Sequence, residues 1–283
     1  MFQAVIIGVA VVLAGTIPRN ILYAANFRFF TGFPWAIPVM AAYLWVFWLY
    51  LNGAGLPAST SLERRASLRA NRISWRVWMA SLAAGGLGIV ALVLALRIVN
   101  QLVALPTQEM PDLGGVPRST VLALLLMGAL IAGVVEEAAF RGYMQGPIET
   151  AHGIWVAILI TGTMFALVHL DFTPVLWPYY IAVAAIYGTV AYLTNSILPA
   201  VVLHTSGNVY SNLDLWLHGQ AEWQAPAGDR LLLWKTGLDR AFWMETIAFG
   251  AVAAAMLLAY WTLARVARGD SLRSRAAVPA RVN

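Results

Sequence analysis

Two adjacent carboxylates, Glu136 and Glu137, follow directly on an apolar run from Val121 to Val135. A helix inside a bilayer should carry neither. A charge near the bilayer centre costs ~2.5–3.5 kcal/mol on insertion scales, so ionisable groups kept there mark functional positions. On a helix, Glu137 and Arg141 are four residues apart, share a face and can pair. Glu136 points ~100° away on the 3.6-residue period and meets no cation on its own helix. The spacing therefore reads Glu137 and Arg141 as structural support and leaves Glu136 as a candidate base.

Composition agrees with a membrane setting. Of 283 residues, 60% are hydrophobic and 11% charged, and the mean hydropathy is +0.72; soluble domains are about 25% charged. The chain has no cysteine, which excludes disulfides, thiolate metal sites and a cysteine nucleophile. Its net charge of +5 comes mostly from arginines flanking apolar stretches, where they report orientation; no nucleic-acid partner is expected. The class predicted is all-α, a polytopic membrane helix bundle of about eight transmembrane helices around a polar cavity. The spans are Met1 to Ile17, Pro34 to Leu51, Trp75 to Leu96, about Ser119 to Gln145, Ile154 to His169, Val175 to Leu193, Ile197 to Leu217 and Phe242 to Ala264. Residues 1–118 form N-terminal helices and loops. Residues 119–217 form a helical core that carries the acidic pair, and residues 218–283 a loop, a last span and a basic tail disordered from Gly269.

An even number of crossings puts both termini on one side. Arg64, Arg65, Arg69, Arg72 and Arg76 then share a face with Arg265, Arg268, Arg273, Arg275 and Arg281 of the tail. Basic residues opposite are diluted by Glu109, Asp112, Asp171, Glu222, Asp229 and Asp239. By the positive-inside rule both termini are cytoplasmic, in a multi-pass protein of the plasma membrane.

Two further spans carry polar pairs at helical spacing. Phe165 and His169 are four apart on one, and His204 and Asn208 four apart on another. Glu136, His169, His204 and Asn208, facing a common interior, are sufficient for hydrolysis. A carboxylate and an imidazole can activate water, while a second imidazole and an amide stabilise an oxyanion. Each residue alone also suits plain helix packing; three spans carrying such pairs in a chain otherwise poor in intramembrane charge favour chemistry.

Glu136-Glu137-x-x-x-Arg141, Phe165-x-x-x-His169 and His204-x-x-x-Asn208, in that order, resemble the three-motif signature of the CAAX prenyl protease and bacteriocin-processing (CPBP, abortive-infection type) intramembrane proteases. The run Phe140 to Gln145 resembles the family's continuation of its first motif. The resemblance covers about Ser119 to Leu217. It implies a helical bundle with a polar cavity inside the membrane, and peptide hydrolysis near the C-terminus of a membrane-attached peptide or lipidated protein. It further implies Glu136 as the general base assisted by His169, His204 and Asn208 as the oxyanion hole, and Glu137, Arg141 and Phe165 as support.

Glu136, His169 and His204 are also the set that a zinc-dependent version would use. The two histidines lie on different helices, so there is no local chelate, and a liganding Glu136 would leave no spare base; a metal-free, cofactor-free site is favoured. A proton-coupled transporter would use the same groups as a relay, but no inverted repeat accompanies them. A non-catalytic immunity or scaffold protein would not need the complete set of motif residues. Depth tests convergence. At ~1.5 Å per residue, Glu136 and His204 lie ~14 and ~11 Å from the inner surface, but His169 ~23 Å. His169 is therefore expected to reach the others through a turn at Leu170 to Pro174 within the bundle.

Overall fold

The structure, a computed structural model, describes residues 1–103, 114–169, 176–218 and 232–276. Among these residues every regular element is a helix: α1 (Phe2–Arg28), α2 (Ala36–Leu51), α3 (Ser61–Leu68), α4 (Trp75–Leu102), α5 (Arg118–Glu136), α6 (Gln145–His152), α7 (Ile154–Val168), α8 (Trp177–Thr194), α9 (Leu198–His218), α10 (Leu233–Thr236) and α11 (Arg240–Ala276). A π-helix, Glu137–Met144, joins α5 to α6 without a break.

Among the described residues four helices are long and apolar enough to cross a membrane: Phe2–Arg28, Trp75–Leu102, Arg118–His152 and Arg240–Leu272; α2 and α7 are shorter apolar helices. The expected eight spans all appear as helices, but length and apolarity mark only four of them as crossings. Of the other four, α2 and α7 fall short in length, and α8 and α9 have a different reason. On α8, Tyr179, Tyr180, Val183, Ala184, Tyr187 and Val190 are buried, and α9 carries His204, Ser206, Asn208, Ser211 and Asn212 toward a cavity. Helices enclosed in this way need not be apolar all round.

Several boundaries differ from the sequence reading. The first helix does not end at Ile17: it continues through Pro18 to Arg28, so Arg19 and Arg28 sit on a helix and not in a loop. A proline inside a membrane helix is tolerated where neighbours support the turn it loosens, and Gly15 packs directly on Val135 of α5. The polar stretch after α2 folds a short helix, α3, whose Arg64 and Leu68 are buried. The tail expected to be disordered from Gly269 is helical through Ala276. The expected turn at Leu170 to Pro174 lies outside the described residues.

Small residues set the approach of the site-bearing helices. A Cβ on Gly133 of α5 would stand 2.1 Å from Thr205 Oγ1 and 2.9 Å from its backbone nitrogen on α9. One on Gly85 of α4 would stand 2.2 Å from Leu203 Cδ1 on α9. Association in lipid relies on such close packing, because no hydrophobic effect drives helices together there. Both contacts flank His204, and they hold α9 against α5 and α4 at the level of the acidic pair. Gly133→Val must push α9 away from α5. Overpacking of this kind costs about 1–3 kcal/mol, so the purified variant should melt several degrees below the parent in detergent. An unchanged melting temperature would show that α9 is not seated as described.

Candidate active site

The acidic pair divides as its spacing predicts. Glu137 and Arg141, both fully buried, form an ion pair of 3.0 Å between Glu137 Oε1 and Arg141 Nη1. Arg141 Nη2 also donates to the carbonyl of Val183 on α8, at 3.4 Å. Its guanidinium lies 5.4 Å from the ring centroids of both Phe165 and Tyr187, within range of cation–π attraction. The π-helical backbone buries every residue from Glu137 to Met144. Such π segments are rare and occur frequently at functional sites.

Glu137 has a second partner that sequence spacing did not show. His204 Nδ1 lies 2.8 Å from the same oxygen, Oε1. A carboxylate can only accept, so Nδ1 carries the proton and donates it. This leaves Nε2 to face the cavity, 3.7 Å from Glu136 Oε2. Tyr187 stacks on the imidazole with centroids 5.1 Å apart and planes 18° apart. The ring of His204 is thus fixed in plane, in tautomer and in direction. Positions 137 and 204 are too far apart in sequence for helical spacing to link them; only the similar depths of Glu136 and His204 pointed that way. Glu136 has no cation on its own helix, but His204 of α9 supplies a neighbour.

Phe165 and His169 come from α7. Phe165 is buried among Phe140 (5.3 Å), Tyr180 (5.9 Å) and His204 (6.1 Å), so it stands at the level of Arg141 and His204. His169, the C-cap residue of α7, lies one turn beyond and folds back. Its ring packs on Phe165 at 4.6 Å and on Tyr180 at 5.1 Å. Its Nδ1 lies 2.7 Å from the Phe165 carbonyl and donates to it, leaving Nε2 as the basic nitrogen of the neutral ring. The two imidazoles therefore flank Phe165, with His204 beside the glutamates and His169 exposed above.

Glu136, Phe165, His169, His204 and Asn208 all border one cavity of about 1180 Å³. Asn208 is half-buried one turn along α9 from His204. The three residues of a zinc reading, Glu136, His169 and His204, share this cavity. Among the described residues, however, no three His, Asp or Glu side chains are grouped closely enough to hold a metal ion.

Below the site the bundle is closed. Leu68, Met144, Gln145, Ile148 and Ile197 are fully buried. The Tyr143 hydroxyl donates toward the carbonyls of Leu51 and Arg64, at 3.0 and 3.1 Å. Arg69 pairs with Glu149 at 2.9 Å and donates to the carbonyls of Arg141 and Ala191. The cavity runs the other way, to Arg97 and Asn100 near the end of α4 and to Asp214 and His218 at the end of α9.

This geometry sits in one segment of known kinship. Residues 118–210 match the family of type II CAAX prenyl endopeptidases, Rce1-like. It is the family that the three motifs resemble. The match spans about a third of the chain and takes in Glu136, Glu137, Arg141, Phe165, His169, His204 and Asn208, while α1 to α4 and α11 lie outside it. No curated protein and no solved structure matches the chain. The four membrane-length helices among the described residues fit a membrane protein, and the segment that carries the site is the one similar to an endopeptidase family.

Glu137→Gln leaves Arg141 buried without its counter-charge and His204 without its anion. Breaking a buried pair from one side costs about 3–5 kcal/mol, so this variant should show a large fall in melting temperature. Glu136→Gln, which breaks no ion pair within hydrogen-bond reach, should melt within a few degrees of the parent. Equal losses would contradict the division of labour between the two carboxylates.

Proposed function

We propose that the protein is an intramembrane endopeptidase that hydrolyses a peptide bond near the C-terminus of a membrane-attached peptide or lipidated protein. The observation that carries this reading is the ordered chain Arg141, Glu137, His204, Glu136, which ends at the wall of a large cavity. Glu136 takes a proton from a water molecule as the water oxygen attacks the scissile carbonyl carbon. With Nδ1–H committed to Glu137, His204 donates to the developing oxyanion as the imidazolium, through Nε2–H, a charged form that the two facing carboxylates support, and the Asn208 amide adds a second donor. Collapse of the tetrahedral intermediate breaks the C–N bond, and the proton held by Glu136 passes to the leaving amine. His169 borders the same cavity from the far side of Phe165, where its free Nε2 assists in orienting water.

In this reading α2, α7, α8 and α9 complete eight crossings, both termini face the cytoplasm, and the membrane is the plasma membrane. No metal takes part in this reading, because a liganding Glu136 would leave the site without a base, Glu137 being held by Arg141 and His204.

Purified protein in detergent, offered peptides with a lipidated cysteine near the C-terminus, should release the short C-terminal fragment. Glu136→Gln should lower kcat by about 10²–10⁴, the range for losing a positioned base, while leaving the fold intact. Dialysis against a chelator should leave the rate unchanged. Retained turnover in Glu136→Gln would remove the assignment of the base, and a rate lost on chelation and restored by zinc would replace it with a metal-bound water.

A further inference from the structure

The cavity has a charged far end that the hydrolytic chemistry does not use. Arg97, on the last turns of α4, lines the same cavity as Glu136 and His204. It is exposed and makes no hydrogen bond or ion pair to any described residue. The other charged groups nearby are engaged. Asp214 Oδ1 lies 2.7 Å from His218 Nδ1, Arg118 donates to the Trp216 carbonyl at 3.1 Å and lies over its ring, and Arg19 donates to Asn20 on its own helix.

The distance from Arg97 to the site can be read along α4. Gly85 packs on Leu203, the neighbour of His204, so it marks the level of the reacting groups. Arg97 follows about twelve residues later, a rise of ~18 Å at ~1.5 Å per residue. The Cα–Cβ bond of a helical residue tilts toward the helix N-terminus, here toward the site, so the long side chain of Arg97 can reach back along the cavity it lines. The remaining gap suits three or four extended residues, which span about 10–14 Å at ~3.3–3.6 Å each. Because the bundle is closed beneath Glu136, a chain threaded past the site has its free run toward Arg97.

We infer that Arg97 binds the terminal carboxylate of the substrate and thereby sets the scissile bond three or four residues from the chain end. A planar guanidinium suits this task, since it can grip both carboxylate oxygens at once. The inference deepens the endopeptidase reading and rests on it.

The test uses the full-length protein and an eight-residue peptide with a farnesylated cysteine fourth from its end, made both as the free acid and as the C-terminal amide. The parent should prefer the acid by about tenfold or more in kcat/KM, as expected for a charge-assisted contact, chiefly through KM. Arg97→Gln should bring acid and amide to the same rate, and Arg97→Lys should restore part of the preference. Adding two residues beyond the natural end should either move the cut to keep its distance from the terminus or abolish it. Binding of the acid and amide to Glu136→Gln, followed by fluorescence, gives the same comparison without turnover. Equal handling of acid and amide by a parent that cleaves both would overturn the role of Arg97 and leave the protease standing. If the parent cleaves neither peptide and Glu136→Gln binds the acid no better than the amide, the inference is overturned as well.

Discussion

One carboxylate oxygen, Glu137 Oε1, is shared between the Arg141 guanidinium at 3.0 Å and the His204 imidazole at 2.8 Å. Both partners are buried, and they come from different helices. In a low-dielectric interior such a charge is tolerable only when it is paired and hydrogen-bonded, so neither partner can be withdrawn without stranding the others. The pair is therefore a fastener as well as a charge balance. It ties the π segment to α9, and through the Val183 carbonyl it ties both to α8. The cavity wall is built outward from that point.

The two glutamates show how a single-residue offset separates surroundings. Glu137 faces inward, where Arg141 and His204 consume its charge. Glu136, its immediate neighbour, lies at the cavity wall with His204 Nε2 3.7 Å away. One imidazole thus faces both acids, held by one and presented to the other. Aromatic packing does the remaining positioning. Tyr187 lies flat on His204, and Phe165 wedges between His204 and His169, so neither ring needs to be steered by backbone alone.

Much of this was legible in the sequence because it rests on local periodicity. The Glu137–Arg141 pair, the Phe165–His169 contact and the placing of His204 and Asn208 along one helix all follow from spacing of four. What spacing cannot show is which helix meets which. The hydrogen bond from His204 to Glu137 depends on Gly133 and Gly85 letting α9 close on its neighbours, and those glycines look in sequence like any small residue in a membrane helix. The π segment was also hidden, because residues four apart remain near one another in either helical form. Hydropathy counted eight apolar stretches, whereas among the described residues four helices are marked as crossings by their own length and apolarity: α2 and α7 are too short, and α8 and α9 carry polar groups into the enclosed interior. The continuation of α1 past Pro18 was missed because proline normally punctuates a helix, and here the Tyr43 hydroxyl donates to the Ala14 carbonyl that Pro18 leaves without its helical donor.

The closed floor formed by α3, Tyr143 and Arg69 has a consequence for solvent. On the proposed reading, with the bundle packed on that side, hydration of Glu136 and entry of a polypeptide compete for the same approach. A chain threaded as proposed would displace bulk solvent as it arrived, and the water consumed would be one already held between the carboxylate and the bond. Wetting and loading are in that sense a single event, governed by how the bundle is plugged at one end.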